Sequence, residues 1–185
     1  AAEVLADIDR FGALAIGPGL GRGKQTMAAV LETISAAPVP IVIDGDGLFA
    51  LMSDDRSLSA VLSRRRAPTV LTPHDGEFRT LTGALPGNDR VLAARSLAAD
   101  TRCTVLLKGP TTVVAASDGE VLLVDRGDER LATAGTGDVL TGLVAVGLAA
   151  GLSGLHAAAA AAWVHADAAC RCPSAGLLAG DLVEV

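Results

Sequence analysis

Residues 13–48 read ALAIGPGLGRGKQTMAAVLETISAAPVPIVIDGDGL and contain one complete alternation of strand-like and helix-like segments. Residues 13–16 and 40–43 are short apolar runs, and residues 24–36 between them have apolar side chains at helical spacing. Each apolar run is followed by glycine, proline or aspartate, which are typical of turns. Two buried strands joined by a helix form a parallel β-α-β unit, so this stretch predicts a parallel sheet.

The same alternation continues along the rest of the chain. The predicted segments are helices at 48–52 and 58–62, a strand at 69–71, helices from 75 and at 89–99, a strand at 103–107, and a hairpin of 111–116 with 121–124. Two Ala-rich helices, separated near residues 151–154, close the chain. The pattern therefore predicts an α/β fold with a mostly parallel central sheet covered by helices on both faces.

Length, charge and composition exclude several classes of protein. At 185 residues the chain suits a single domain. Its formal net charge is −6 and no Lys/Arg patch is interleaved with aromatic residues, so no nucleic-acid partner is predicted. The basic triplet at 64–66 predicts a solvated surface turn. No charged residue lies between Asp138 and Asp167, but glycines interrupt this run, so two buried helices are predicted there and no membrane span.

The three cysteines bear on the cellular compartment. Cys103, Cys170 and Cys172 are odd in number and do not form the pattern of a disulfide framework. No signal-peptide pattern opens the chain. His165 lies near two of the cysteines, but the spacing matches no common zinc site, so no metal ligands are predicted. A cytoplasmic location is therefore expected.

The stretch Gly135-Thr136-Gly137-Asp138 carries the strongest signal for chemistry. Two glycines allow backbone N–H groups to approach a ligand, and a helix predicted to begin at Asp138 would direct its free N–H groups to the same place. Such a turn suits phosphate oxygens, with Asp138 beside it as a general base for a substrate hydroxyl. The alternative is that Asp138 only caps the helix.

Four other loops directly follow predicted strands, so they share one edge of the sheet. Residues 108–112, Lys-Gly-Pro-Thr-Thr, could contact a nucleotide, although for this stretch alone a solvated lysine in an ordinary connection is the better interpretation. His74 could bind a substrate phosphate or exchange a proton, or be structural. The glycines at 17–21 suggest a close approach of backbone to ligand. Asp44 and Asp46 could meet magnesium-bound phosphates, or Asp44 could cap the following helix.

Six motifs, taken in order, resemble those of one family. They are GPGLG (17–21), IDGDGL (43–48), LTPHDGEF (71–78), LKGPTTVV (107–114), GTGDVLTG (135–142) and GLLAGDL (176–182). With them the chain resembles the ADP/ATP-dependent NAD(P)H-hydrate dehydratases of the ribokinase-like superfamily. The resemblance implies a three-layer α/β/α sandwich with a mostly parallel sheet. It also implies that residues 1–185 are one dehydratase domain without the N-terminal strands and helices of longer relatives.

The resemblance also implies an activity and site residues. Members of this family use ADP or ATP, with magnesium, to phosphorylate the hydrates NADHX and NADPHX, and loss of phosphate restores NADH and NADPH. By the resemblance, Asp138 is the catalytic base and also contacts the substrate. The other implied contacts are Gly19, Gly21 and His74 for NAD(P)HX, and Lys108, Gly109, Pro110, Thr111, Thr112, Gly135, Thr136 and Gly137 for the nucleotide.

Two further functions fit the same turn, because a kinase and a nucleotide-binding module also have to hold the phosphates of a nucleotide. One is a small-molecule kinase of the same superfamily that acts on a vitamin precursor or a sugar. The other is a nucleotide-binding module without turnover. The segment at 71–78 favours the dehydratase. The family usually has DADAL or DADGL where this chain has DGDGL at 44–48, and both aspartates are kept. The apolar C-terminal helices suggest a homo-oligomer.

Overall fold

The structure is a computed structural model that describes residues 1–52, 58–62, 64–173 and 175–185. Its strands are β1 (Leu14–Ile16), β2 (Ile41–Ile43), β3 (Thr69–Leu71), β4 (Thr104–Leu107), β5 (Thr112–Ala115) and β6 (Val121–Val124). Its α-helices are α1 (Ala2–Ala6), α2 (Lys24–Ala36), α3 (Asp46–Met52), α4 (Leu58–Leu62), α5 (Asp75–Thr82), α6 (Arg90–Thr101), α7 (Thr136–Ala149) and α8 (Gly154–Arg171). Short 3-10 turns lie at Ile8–Arg10, Glu129–Ala132 and Ala179–Val183.

The strands form one sheet in chain order, from β1 at one edge to β6 at the other. The first four strands are parallel, and β5 and β6 are antiparallel to their neighbours. Parallel neighbours in sequence order need a helical crossover each time, and α2 to α6 provide these crossovers. The carboxyl ends of β1 to β4 therefore meet at one edge of the sheet, where the loops with unusual residues follow.

Two apolar cores separate the sheet from its two helical layers. Side chains alternate along each strand, so Ile41 and Ile43 face one layer while Val42 faces the other. The first core packs against α2 to α6, and the second packs against α7 and α8. The architecture is a three-layer α/β/α sandwich, as predicted.

The predicted strands and helices are confirmed, with shifts of one or two residues at most ends. The helix after the glycine-rich turn begins at Thr136, not at Asp138. Gly135 is its N-cap residue, with φ of 89°, a conformation in which a side chain would be strained. Its positive φ closes the turn two residues early, which places Asp138 inside the first helical turn.

The interpretation of residues 64–66 as a solvated turn was wrong for its central residue. The Arg65 guanidinium donates hydrogen bonds to the carbonyl oxygens of Ile34, Ala37 and Val39 at 2.6–2.8 Å and to Thr69 Oγ1 at 2.8 Å. Burial lowers the pKa of Arg65 below its usual range. This cation closes the C-terminus of α2 against the start of β3.

Within the part of the chain that the structure describes, no helix is both long and apolar enough to cross a membrane. The separation of the last two helices at residues 150–153 agrees with the predicted break. All three cysteines are free thiols, as expected from their number and spacing.

Candidate functional site

Asp44 lies at the centre of the candidate site, at the end of β2. Its side chain is 5% exposed, and its two oxygens face different elements. Oδ1 accepts a hydrogen bond from Lys108 Nζ at 2.8 Å, and Oδ2 accepts one from Thr141 Oγ1 at 2.9 Å. Asp44 therefore connects the end of β4 to the first turns of α7. Because its side chain is engaged in this way, the interpretation of Asp44 as a helix cap was wrong.

Lys108 is held by carboxylates, so it is not the solvated lysine of the alternative interpretation. Besides Asp44, Glu77 Oε2 lies 3.7 Å from Lys108 Nζ, and the lysine side chain is 21% exposed. A Cβ on Gly137 would lie 3.6 Å from Nζ and 3.7 Å from Asp44 Oδ2. The lysine ammonium thus borders the glycine-rich turn. An anion bound there would contact both the ammonium and the turn.

The turn Gly135–Gly137 is held from within by Thr136. Thr136 Oγ1 donates to the carbonyl oxygens of Leu131 at 2.6 Å and Thr133 at 2.8 Å, while the Asp138 N–H donates to Gly135 O at 3.1 Å. Within the described chain, the N–H groups of Gly135 and Gly137 have no acceptor. Two of the four predicted amides are therefore free for a ligand, and those of Thr136 and Asp138 are used inside the turn.

Asp138 is exposed in the first turn of α7 and makes no capping hydrogen bond. The interpretation of Asp138 as a cap was therefore wrong, because the N-cap position belongs to Gly135. Asp138 borders an apolar groove of about 460 Å³, which Gly17, Pro18 and Leu20 also line. Its carboxylate is thus accessible at the mouth of a groove, as a base for a bound hydroxyl must be.

Gly17 permits the loops after β1 and β2 to touch. Its φ is 131°, and a Cβ there would lie 1.7 Å from the Asp44 carbonyl oxygen, so no side chain fits. Gly19 and Gly21 also have positive φ, and nothing lies within 4 Å of the position of a Cβ on either. The first glycine is required for packing, and the other two face open space beside the groove.

His74 caps α5 through Nδ1, and its Nε2 lies 3.5 Å from Glu77 Oε2. Its Nδ1 accepts a hydrogen bond from Glu77 N at 3.1 Å, and Glu77 Oε2 accepts from His74 N at 2.9 Å. This reciprocal pair is a capping box. Because Nδ1 is an acceptor, Nε2 carries the proton of the neutral ring. The structural interpretation of His74 is confirmed, and its side chain is 58% exposed, so the ring remains accessible to a ligand.

A second cavity, of about 200 Å³, opens beside His74 and is lined by Arg22, Phe49 and Leu81 among others. The Arg22 guanidinium lies 4.4 Å from the Phe49 ring centroid. Asp46 accepts hydrogen bonds at 2.8 Å from Arg22 Nε and from Gly21 N. The bond from Arg22 is the main reason why the pKa of Asp46 is below its usual range. Asp46 thereby shapes the glycine loop between the two cavities.

The loop from Lys108 to Thr112 is held by a residue that the sequence did not single out. Arg90 Nη2 donates to Lys108 O at 2.7 Å, and Arg90 Nη1 donates to Asp75 Oδ1 at 2.8 Å. A Cβ on Gly109 would lie 2.4 Å from Arg90 Nη2. The glycine therefore admits the guanidinium, and Arg90 links this loop to the start of α5. An arginine at a helix start, far from the motif in sequence, gave no local signal of this role.

A second unpredicted feature lies on α8. His165 Nε2 is 2.9 Å from the Thr136 carbonyl oxygen, and burial lowers the pKa of His165 below its usual range, with the Lys108 charge acting in the same direction. Also on α8, Asp167 pairs with Arg126, whose guanidinium lies 5.2 Å from the Trp163 ring centroid. The hydrogen bond from Arg126 is the main cause of the lowered pKa of Asp167.

Comparison with known proteins identifies the family. A family model described as NAD(P)H-hydrate dehydratase matches residues 1–182. The bifunctional NAD(P)H-hydrate repair enzyme Nnr of Moorella thermoacetica is 40% identical over 189 residues, which cover 98% of this chain and 34% of that protein. This chain thus spans about a third of the length of the curated relatives that it matches.

Solved structures share the fold. The ADP/ATP-dependent NAD(P)H-hydrate dehydratase from Bacillus subtilis, co-crystallised with ATP and Mg²⁺, has a TM-score of 0.80 at 32% identity. That match covers 94% of this chain and 61% of the Bacillus chain. A ribokinase-like superfamily protein from Enterococcus faecalis has a TM-score of 0.79 at 22% identity, which bears on the fold alone. On the family match over residues 1–182 and this architecture, the chain belongs to the NAD(P)H-hydrate dehydratase family and has the ribokinase-like fold.

Proposed function

We propose that residues 1–185 form one dehydratase domain that converts NADHX and NADPHX to NADH and NADPH at the expense of ADP or ATP. The hydrate hydroxyl oxygen attacks the terminal phosphorus of the nucleotide, and its proton passes to Asp138. The nucleotide leaves shorter by one phosphate. The phosphorylated hydrate then loses phosphate and an adjacent proton, which restores the ring double bond.

One observation carries this proposal: an accessible carboxylate, a free amide and a cation surround the same turn. Asp138 is exposed one residue after Gly137, whose N–H has no acceptor in the described chain. Lys108 Nζ borders the same glycine. A base for the attacking hydroxyl and donors for the transferred phosphoryl group are what this reaction requires.

In this proposal both cavities lie on the substrate side of the site. Asp138 and the glycine loop border the wide groove, while His74 borders the smaller cavity, and Gly19 and Gly21 lie in the loop between them. NAD(P)HX spans this loop with its hydroxyl at Asp138. The adenine nucleotide lies on the other side, along Lys108, Gly109, Pro110, Thr111 and Thr112, with its terminal phosphate at Gly135, Thr136 and Gly137.

Magnesium enters this proposal together with the nucleotide. Among the described residues, no three His, Cys, Asp or Glu side chains are grouped as a metal site. Asp44 and Asp46 are each paired with a cation of the protein, Lys108 and Arg22. Magnesium is readily held by phosphate oxygens and water, so in this proposal the nucleotide phosphates would bring it into the site.

The proposal extends to assembly and location. Apolar side chains on and between α7 and α8 are exposed, among them Val146 at 67% and Val164 at 47%. A homo-oligomer that covers this surface is expected, and a cytoplasmic location is part of the proposal. Light scattering of the purified chain measures the assembly, and a monomer at all concentrations would contradict it.

The test of function uses chemically prepared NADHX. The chain is incubated with NADHX and Mg·ATP or Mg·ADP, and the near-ultraviolet absorbance of NADH is followed. The Moorella enzyme serves as the positive control and Asp138→Asn as the negative control. Recovery of NADH that requires the nucleotide is expected. Binding of ATP without any recovery of NADH would contradict the proposal.

The same experiment separates the alternatives. A small-molecule kinase would consume ATP with a hydroxylated vitamin precursor or a sugar and leave NADHX unchanged. A nucleotide-binding module would bind ATP and consume it with neither substrate. Release of one phosphate for each NADH formed is the stoichiometry of the dehydratase.

A further inference from the structure

His165 is a buried histidine that the proposed chemistry does not use. It lies on α8, which packs against α7 through alanines of the second core. Only 6% of the residue is exposed, and its Nε2 is 2.9 Å from the Thr136 carbonyl oxygen. A carbonyl oxygen only accepts hydrogen bonds, so Nε2 is the donor.

The peptide bond between Thr136 and Gly137 joins this contact to the anion turn. The carbonyl of Thr136 and the N–H of Gly137 belong to one planar trans peptide, in which they point in opposite directions. A donor that holds the carbonyl therefore also fixes the direction of the N–H. The Gly137 N–H points away from His165 and has no acceptor within the described chain.

We propose that His165 is a positioning residue, which aims the Gly137 N–H at the phosphoryl group by holding the Thr136 carbonyl. This rests on the proposed function. The other hydrogen bonds of Thr136, from its hydroxyl and its N–H to Leu131 and Thr133, act from the preceding segment. His165 acts from the rigid helix on the opposite side, so the peptide plane is held from two sides.

Two near-isosteric variants test this inference. His165→Gln keeps a side-chain N–H at similar reach, and His165→Met removes it while filling similar space. We expect kcat to fall about tenfold in His165→Met, because one donor to the transition state is misdirected. The KM for NADHX is expected to stay within about twofold of wild type, since the Gly137 N–H contacts the phosphoryl group and not NADHX. His165→Gln is expected to recover most of the loss.

A matched control comes from the same helix. His156 is exposed in the first turn of α8, with Nδ1 2.8 Å from Ser153 Oγ, and it is remote in sequence from the turn. His156→Gln should leave kcat unchanged. A role of His165 in stability alone would lower the melting temperature of His165→Met without a change in kcat, and would overturn the inference.

A measurement without turnover separates this inference from the proposed function. The Gly137 amide resonance is followed by ¹H–¹⁵N NMR during titration with Mg·ATP, and a downfield shift is expected in wild type and His165→Gln. A Gly137 amide that does not respond to Mg·ATP in wild type would overturn the inference. A response in wild type that is reduced in His165→Met, without NADH formation by wild type, would support the inference and contradict the proposed function.

Discussion

Two cations, one near the amino-terminal ends of the parallel strands and one near their carboxyl-terminal ends, are held in different ways. Arg65, at the amino-terminal edge, donates to three carbonyl oxygens and one hydroxyl, and no carboxylate is among these partners. Lys108, at the carboxyl-terminal edge, is held by Asp44 and lies near Glu77. The acceptors of Arg65 are backbone carbonyl oxygens and a threonine hydroxyl, so its hydrogen bonds hold the secondary structure together. The carboxylate partners of Lys108 instead hold its ammonium group next to the turn whose amides are free.

This difference in partners indicates that Arg65 serves stability and that Lys108 serves ligand binding. A guanidinium that satisfies buried carbonyl oxygens joins a helix end to a strand, and moving it would leave those oxygens unpaired. The Lys108 ammonium has three N–H donors and is partly exposed, so it can donate a hydrogen bond to a phosphate while it stays paired with its carboxylates. We expect changes at the first edge to affect unfolding and changes at the second to affect ligands.

The largest effect is expected at Arg65. Arg65→Met should lower the free energy of unfolding by at least about 3 kcal/mol, since a single hydrogen bond from a charged donor contributes roughly 1.5–3 kcal/mol and Arg65 makes several. Urea denaturation followed by circular dichroism measures this. The neighbouring exposed Arg64→Met is the control and should change little. If Arg65→Met left stability unchanged and weakened ATP binding, the assignment of Arg65 to stability would be contradicted.

The next effect concerns Asp138 at the other edge. Asp138→Asn should lower the rate of NADH formation at least ~100-fold, as expected for loss of a general base. ATP binding, measured by calorimetry, should stay near wild type, as should the melting temperature. Near-normal turnover would remove Asp138 from the chemistry.

A smaller loss is expected at Lys108. Lys108→Met should weaken ATP binding about tenfold, the equivalent of ~1.4 kcal/mol. It should also reduce stability, because Asp44 keeps its charge without its cation. Asp44→Asn in addition should restore part of the stability but not the affinity for ATP. Lys24→Met, at the exposed start of α2, is the control. If the double variant regained ATP affinity, Lys108 would be structural like Arg65.

His74 tests the substrate side of the same edge. His74→Asn keeps a side-chain oxygen that can cap α5 but removes Nε2. The KM for NADHX should rise about fivefold with little change in that for ATP, a difference of ~1 kcal/mol in binding. His74→Ala loses the cap as well and should also melt at a lower temperature. Equal changes in the KM for NADHX and the KM for ATP would contradict a contact between His74 and NADHX.

The smallest effect is a dependence of stability on pH. Burial lowers the pKa of His165 below its usual 6.5 in the folded chain, so the unfolded chain binds a proton first as the pH falls. Stability from this group is therefore complete above about pH 6.5 and decreases below it. Melting curves from about pH 7.5 to about pH 5.5 should show this decrease in wild type and less of it in His165→Met. Arg65→Met should keep the slope of wild type.

The local elements and the common edge of the site could be predicted from the sequence. Apolar runs and helical spacing at residues 13–48 are enough for a β-α-β unit, because short apolar runs bounded by Gly, Pro and Asp indicate buried strands and the apolar spacing between them indicates a helix. The motifs of the loops then fall at one edge as a consequence of parallel strands. His74 and Asp138 lie where this reasoning expects them, although their roles as ligands stay predictions.

The contacts that hold the site could not be predicted. Arg65 and Arg90 act through hydrogen bonds to carbonyl oxygens that are distant in sequence, and any residue can supply a carbonyl oxygen. The start of α7 was misplaced because the conformation of Gly135 depends on contacts such as that of Thr136 with Leu131. His165 is 29 residues from Thr136, and no spacing rule joins them.

Trp163, beside the Arg126 guanidinium, gives the protein a single intrinsic fluorophore. The chain has one tryptophan and no tyrosine, so its near-ultraviolet emission comes from a single indole. That indole lies on α8, two residues before His165, under a guanidinium whose charge affects its excited state. Tryptophan emission overlaps the absorption of NADH. Quenching by energy transfer would therefore report formation of the product inside the site, without any added dye.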